Sequence, residues 1–174
     1  MAVITDTDST GRNISTALPK ILPLAVGWAE RERRNILKHG KPLAFWQVAE
    51  AREVGVRLPA KVRILTVDTM PKPADTQLLA ATLSSGLLGP ETLGLTLGYG
   101  ILILRAKSGE RRLLRHELRH VAQYEAAGSI GAFMFDYLYQ IARFGYADAP
   151  LEMDARRHER REPKSSSRHR YSEL

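Results

Sequence analysis

The stretch LLRHELRHVAQYE, residues 113–125, decides how the rest of the chain is interpreted. In an α-helix, residues four apart lie on the same face, one turn apart. His116 and His120 have this spacing, and Glu117 directly follows the first histidine. The remaining residues divide into an apolar arc and an arc of arginine and glutamine. A helix that only packs needs those two arcs, so packing does not account for the histidine face.

The histidine face has the chemistry of a zinc site. Two imidazole nitrogens one turn apart can bind a single Zn²⁺ at roughly 2.0–2.1 Å. The carboxylate after the first histidine then faces a water molecule on the metal. Zinc lowers the pKa of that water to near neutrality, and the carboxylate takes its proton as it attacks a carbonyl carbon. The pattern predicts His116 and His120 as metal ligands and Glu117 as the general base.

A third ligand is needed, and in a chain without cysteine it must be acidic or another histidine. Glu125 is on the same helix but turns toward the apolar arc. Glu152 is the favoured residue, because Pro150 suits the first turn of a new helix and places this carboxylate at its start. The competing interpretation is that Glu152 only stabilises the helix N-terminus. Asp136 and Asp154 remain open as alternative ligands.

Length and composition indicate one domain. The chain has 174 residues, 44% of them hydrophobic and 26% charged, which is ordinary for a globular protein. No apolar run approaches the roughly 18–20 residues needed to span a bilayer. We predict a disordered leader over 1–17, a single domain over 18–162 and a disordered basic tail over 163–174. With no export signal in view, the cytoplasm is the default expectation.

The net charge of +7 is concentrated at the C-terminal end. From Arg156 onward, seven Lys or Arg residues stand against three Glu. A Ser-rich segment with few apolar residues is typical of a disordered tail. We favour a solubilising role for it, and a nucleic-acid contact through the tail is the weaker alternative.

Periodicity and turn residues predict an α+β chain. A β-branched run at 62–67 is expected to be a strand, 93–105 is expected to form one long or two short strands, and 74–90 is expected to be either a short helix or a loop. Helices are expected over 18–38, 42–54, 110–127, 129–144 and 151–161.

The sequence HELRHVAQYE followed by PLEMDA resembles the gluzincins, zinc peptidases with H-E-x-x-H on one helix and a glutamate ligand on a later one. The likeness is to small bacterial zincin-like domains and minigluzincins, and it covers about residues 95–160. It implies a zincin-like fold, with a small, mostly antiparallel sheet packed on helices. It also implies an open sheet edge within 95–105 for an extended peptide. No third histidine follows at metzincin spacing.

Carried over by position, the resemblance makes His116, His120 and Glu152 the ligands of Zn²⁺ and Glu117 the general base. It implies a zinc-dependent metallopeptidase acting on a peptide or protein substrate. The alternative is a non-catalytic metal-binding module with the same fold. No oxyanion donor can be matched by position; by residue type alone the candidates are Tyr99, Tyr137 and Tyr146.

Overall fold

The computed structural model describes the backbone of residues 7–160, and the side chains from residue 17 to residue 160. Within this range it is an α+β structure of six α-helices and a four-stranded sheet. The elements follow one another as α1 (Thr7–His39), β1 (Lys41–Pro42), α2 (Phe45–Glu53), β2 (Arg63–Val67), α3 (Thr76–Ser84), β3 (Gly94–Leu97), β4 (Gly100–Leu104), α4 (Arg111–Ala127), α5 (Ile130–Phe144) and α6 (Pro150–His158).

The sheet has the strand order β1-β2-β4-β3. β2 and β4 are parallel, whereas β1 pairs antiparallel with β2 and β3 pairs antiparallel with β4. The sheet is therefore mixed, and two of its three pairings are antiparallel, in agreement with the expectation of a mostly antiparallel sheet. A parallel pair requires a long crossover connection, which the segment with α3 provides. In the part of the chain that the structure describes, β3 has a neighbour on one side only.

Strand β4 joins two hydrophobic clusters because successive side chains of a strand point to opposite faces of the sheet. Ile101 and Ile103 pack into the cluster formed with α2 and α4. Leu102 packs on the opposite face, in the cluster with α1, α3 and α5. All three side chains are at most 3% exposed. Helices therefore cover both faces of the sheet, and the histidine-bearing helix α4 lies against one of them.

The prediction for the N-terminal segment can be compared with the structure in part, whereas the predicted C-terminal tail lies outside the described residues. Helix α1 begins at Thr7, so it includes residues 7–17 of the segment predicted to be a disordered leader. It ends at His39, immediately before Gly40, as the helix-stop pattern predicts. Residues 1–6 and the predicted tail at 163–174 lie outside the described residues. Among the helices of residues 7–160, none combines the length and the apolar character that a bilayer crossing requires.

Most predicted elements are confirmed, with one boundary corrected. Pro42 does not lie in the first turn of a helix, because it pairs with Arg63 in the sheet, and α2 begins only at Phe45. The ambiguous segment 74–90 contains a true helix, α3, whose N-terminus is capped by Asp75. Helices α4, α5 and α6 lie within the stretches that the sequence predicts to be helical, apart from one residue at the start of α6.

Candidate metal centre

The side chains of His116, His120 and Glu152 converge between α4 and α6. The Nε2 atoms of the two histidines are 3.1 Å apart. Glu152 Oε1 is 3.2 Å from His120 Nε2, and Glu152 Oε2 is 3.4 Å from His116 Nε2. A tetrahedral zinc with bonds of about 2.0–2.1 Å separates its ligand atoms by about 3.3 Å. Taken with one ligand atom from each residue, the three groups lie within 4.8 Å of one another, close enough that they could hold one metal ion.

Glu152 carries the clearest sign that a cation belongs here. Its side chain is 1% exposed, and its Oε2 has no hydrogen-bond partner among the described residues. Burial pushes the pKa of Glu152 upward, but the two imidazoles and the Tyr137 hydroxyl outweigh burial and hold the pKa well below its usual value. The group is thus an ionised, buried carboxylate with an unsatisfied oxygen, which is costly unless a cation compensates it.

The other nitrogen of each histidine faces an acceptor. His120 Nδ1 is 2.8 Å from Gln123 Oε1. The Gln123 amide nitrogen donates to Leu151 O at 3.0 Å and to Asp154 Oδ2 at 2.7 Å, so its oxygen is the atom left for the histidine. A proton on Nδ1 then leaves the Nε2 lone pair directed at the cluster. Metal-binding histidines typically have this arrangement.

His116 is supported in the same way by a carboxylate. Its Nδ1 lies 3.3 Å from Glu159 Oε1, and Arg112 donates to the second oxygen of Glu159 at 2.7 Å. Burial lowers the pKa of His116, but the close contact with Glu152 and the charges of the surrounding carboxylates outweigh this and raise it above its usual value. Both histidines are therefore oriented by groups outside the cluster.

Glu117 lies against strand β3 and lines the same cavity as the cluster. Thr96 Oγ1 donates to Glu117 Oε2 at 2.7 Å, and the Glu117 side chain is buried. Burial raises the pKa of Glu117, and the opposing effects of the two histidines and Thr96 do not cancel this rise. A Cβ at Gly94 would lie 2.7 Å from Glu117 Cδ, so only glycine leaves room for this carboxylate. Glu117 is therefore a buried carboxylate of raised basicity that Thr96 holds in place.

A cavity of about 410 Å³ opens in front of these residues. Its walls come from α1, α3, β3 and α5, and Glu117, His120 and Glu152 form part of its lining. Tyr137 and Tyr146 also line it. The Tyr137 hydroxyl donates to Glu152 Oε1 at 2.6 Å, and its ring stacks on Phe133 with centroids 5.3 Å apart. Tyr146 is 39% exposed.

The structure leaves the alternative ligands outside the cluster. Asp136 is exposed on α5. Asp154 accepts from Arg119 at 2.6 Å and from Gln123, so it supports a ligand and is not one itself. Glu125 accepts from the backbone nitrogens of Arg57 and Leu58 at 2.7 and 2.9 Å.

The three tyrosines considered as oxyanion donors also differ in where they lie. Tyr99 donates to Glu125 at 3.1 Å and does not line the cavity in front of the cluster. Only Tyr137 and Tyr146 of the three lie next to Glu152. Tyr137 donates to that carboxylate, and burial followed by the interaction with Glu152 raises the pKa of Tyr146. What distinguishes Tyr146 is that its side chain is the more exposed of the two.

Several residues that support the cluster and Glu117 were not predicted from the sequence. Gln123 and Glu159 could have been noticed, since Gln123 lies one turn from His120 and Glu159 lies two turns from Glu152. Gly94 and Thr96 give no such signal, because their role depends on β3 lying against α4.

Comparison with known proteins finds no relatives: no protein-family model, no curated protein and no solved structure matches this chain.

Proposed function

We propose that this protein is a zinc-dependent hydrolase of peptide bonds, with a zincin-like arrangement of its site. The observation that carries the proposal is the convergence of His116, His120 and Glu152, whose ligand atoms all lie within 4.8 Å of one another. Two nitrogens and one oxygen form the donor set of zinc sites in which one position stays open for water or substrate.

Each residue has a defined role in the proposed reaction. His116, His120 and Glu152 would hold the metal, and Gln123 and Glu159 orient the two imidazoles. When bound, zinc supplies Lewis-acid chemistry, polarising the substrate carbonyl and acidifying water. Glu117 accepts the proton of the attacking water and delivers it to the leaving amine. Thr96 holds the Glu117 carboxylate, and Tyr146 lies where a phenol could donate to the carbonyl oxygen.

The second candidate is a metal-binding module without catalysis. The buried Glu152 oxygen supports metal binding whether or not a reaction follows. What favours catalysis is the position of Glu117, a buried carboxylate with a raised pKa on the wall of an open cavity. A purely structural metal site has no use for such a group.

Zinc content and hydrolysis of a fluorescently labelled unstructured polypeptide test the proposal together. We expect about one zinc per chain in protein purified without chelator. Glu117→Gln should keep the zinc and lower turnover about 10²–10⁴-fold, because only the proton acceptor is lost. Glu91→Gln, at an exposed position away from the site, is the matched control and should behave as wild type.

The other outcomes are distinguishable. Zinc binding without turnover in the wild type supports the non-catalytic module. Undiminished turnover in Glu117→Gln shows that another group accepts the proton. Failure to take up zinc on titration removes both candidates.

A further inference from the structure

The cavity beside the cluster has almost no charge on its walls apart from the cluster itself. The chain contains 26 Lys and Arg residues, yet within the described part of the chain no Lys, Arg or Asp lines the cavity. The carboxylates and imidazoles that line it are those of His116, Glu117, His120 and Glu152. Most of the remaining wall is aliphatic or aromatic, including Leu18, Ile21, Leu78, Leu87, Met134 and Leu138.

These walls select for an apolar ligand. At about 30 Å³ per molecule, the volume of about 410 Å³ has room for about a dozen waters. Most of the wall surface is apolar and cannot hydrogen-bond those waters, so an apolar group that displaces them is favoured. Away from Glu117 and the cluster, a charged side chain would lose its hydration there without gaining an ionised partner. The volume also lies in the usual range of sites that enclose a ligand.

Strand β3 indicates that the ligand is a peptide. All four of its residues, Gly94–Leu97, line the cavity, and in the described structure β4 pairs with it on one side only. An extended chain added to such an edge receives main-chain hydrogen bonds and directs alternate side chains to one face. An acyl chain would fill the cavity but could not use this edge. Thr96 and Gly94 contact Glu117, so a paired peptide would lie beside the proposed general base.

We propose that the cavity is the specificity pocket of this site, and that it binds bulky apolar side chains flanking the scissile bond of an extended peptide. This inference rests on the proposed peptide hydrolysis for its biological meaning. The pocket itself can be tested by binding alone, without turnover.

Trp28 provides an internal reporter, since it lies in the cavity wall and is 7% exposed. The chain has two tryptophans, and the other, Trp46, is 46% exposed. Full-length Trp46→Phe protein is titrated, metal-free and zinc-loaded, with three doubly capped tetrapeptides: Gly-Leu-Phe-Gly, Gly-Lys-Lys-Gly and Gly-Glu-Glu-Gly. We expect Gly-Leu-Phe-Gly to shift the Trp28 emission and to bind at least about tenfold more tightly than the charged peptides.

Ala81 on α3 offers a matched pair of variants. It is half-buried and lines the cavity, so Ala81→Phe should occupy part of the pocket and weaken Gly-Leu-Phe-Gly binding at least about fivefold. Ala74→Phe makes the same change at an exposed position outside the cavity and should leave binding unchanged. Ala81→Glu should weaken the apolar peptide and strengthen Gly-Lys-Lys-Gly. Circular dichroism confirms that each variant is folded.

Peptide binding tests the pocket and hydrolysis tests the proposed function, so each proposal can be contradicted without the other. Tight binding of Gly-Leu-Phe-Gly with no hydrolysis by zinc-loaded protein supports the pocket and contradicts the hydrolase. Hydrolysis of an unstructured polypeptide, with equal binding of all three peptides, contradicts the pocket and leaves the hydrolase standing. A saturated fatty acid that binds while Gly-Leu-Phe-Gly does not would overturn the peptide assignment. An unchanged affinity in folded Ala81→Phe would overturn the location.

Discussion

The buried glutamates that meet the two polar faces of helix α4 have different kinds of partner. On the arginine face, Arg115 is 6% exposed and pairs with both Glu50 and Glu53. Glu50 is 3% exposed and pairs with a second guanidinium as well, that of Arg111. On the histidine face, the buried Glu152 meets two imidazoles and a phenol, and one of its oxygens has no hydrogen-bond partner within the described chain.

The difference separates a structural ion pair from a ligand site. The guanidinium groups of Arg111 and Arg115 are always charged and pair with Glu50, so no added cation is needed there. Imidazoles carry a full charge only when protonated, and as neutral groups they present lone pairs. A carboxylate among such groups is completed by an added cation. The burial of the two glutamates is nearly the same, and only the chemistry of their partners distinguishes them.

The largest expected effect is the loss of zinc affinity in Glu152→Ala. If the apparent binding free energy of about 10–16 kcal/mol of a four-ligand structural zinc site is shared equally, one ligand contributes about 2.5–4 kcal/mol, or roughly 10²–10³-fold in affinity. Asp154→Ala should lower zinc affinity far less, because Asp154 is linked to the cluster through its hydrogen bond with Gln123 and does not contact the cluster's ligand atoms. Competition with a zinc chelator at one pH measures both. Equal losses of zinc affinity in the two variants would contradict the assignment of Glu152, and not Asp154, as the third ligand.

Arg115→Ala should produce the opposite pattern, a stability loss without a metal loss. Removing one partner of a buried ion pair costs about 3 kcal/mol of unfolding free energy, the low end of the usual range because Arg111 still pairs with Glu50. Urea unfolding of metal-free protein measures it. Arg105→Ala removes an ion pair whose partners are 65% and 77% exposed and should leave stability unchanged. A large drop in zinc affinity in Arg115→Ala would erase the distinction between the two faces.

Gln123→Leu tests how far the histidine face depends on its support. Leucine cannot accept from His120 Nδ1, so the imidazole loses its orientation, and we expect zinc affinity to fall about 10–100-fold. The exposed Gln77→Leu is the matched control. Affinity and urea unfolding should both be measured, because a variant that loses stability alone would make Gln123 a packing residue only.

The smallest effect is the pH dependence of the metal-free protein. The folded-state pKa of Glu152 is lowered, so its contribution is present above its usual value of 4.5 and is lost as pH falls through the folded pKa. The folded-state pKa of His116 is raised, so its contribution is present below 6.5 and is lost as pH rises through the folded pKa.

Metal-free protein should therefore lose stability as pH rises above 6.5. Burial raises the pKa of Glu117, which acts in the same direction. Urea unfolding at pH 5.5 and pH 8 measures the change, and His116→Gln should reduce it. Bound zinc should reverse the trend, because its ligands must be deprotonated. Stability that rises with pH in metal-free protein would contradict these assignments.

Local sequence determined the elements on which the site is built. Apolar periodicity and Gly40 set the end of α1, and the spacing of His116 and His120 places them on one face of α4 whatever the rest of the chain does. Pro150 marks the start of α6, and the β-rich run at 62–67 gives β2. These features depend on residues within a turn or two of each other, so the backbone geometry of a helix or strand is enough to predict them.

Tertiary structure alone decided which distant groups meet. Sequence favoured Glu152 but left Asp136 and Asp154 open, and only the packing of α6 on α4 separates them. The parallel pairing of β2 with β4 made β3 an edge strand, which brought Thr96 against Glu117 and required glycine at position 94. The largely apolar cavity is lined by residues of α1, α3, β3, α4, α5 and α6, which are spread along most of the described chain. No short-range spacing encodes such contacts, because they depend on how hydrophobic faces pack together.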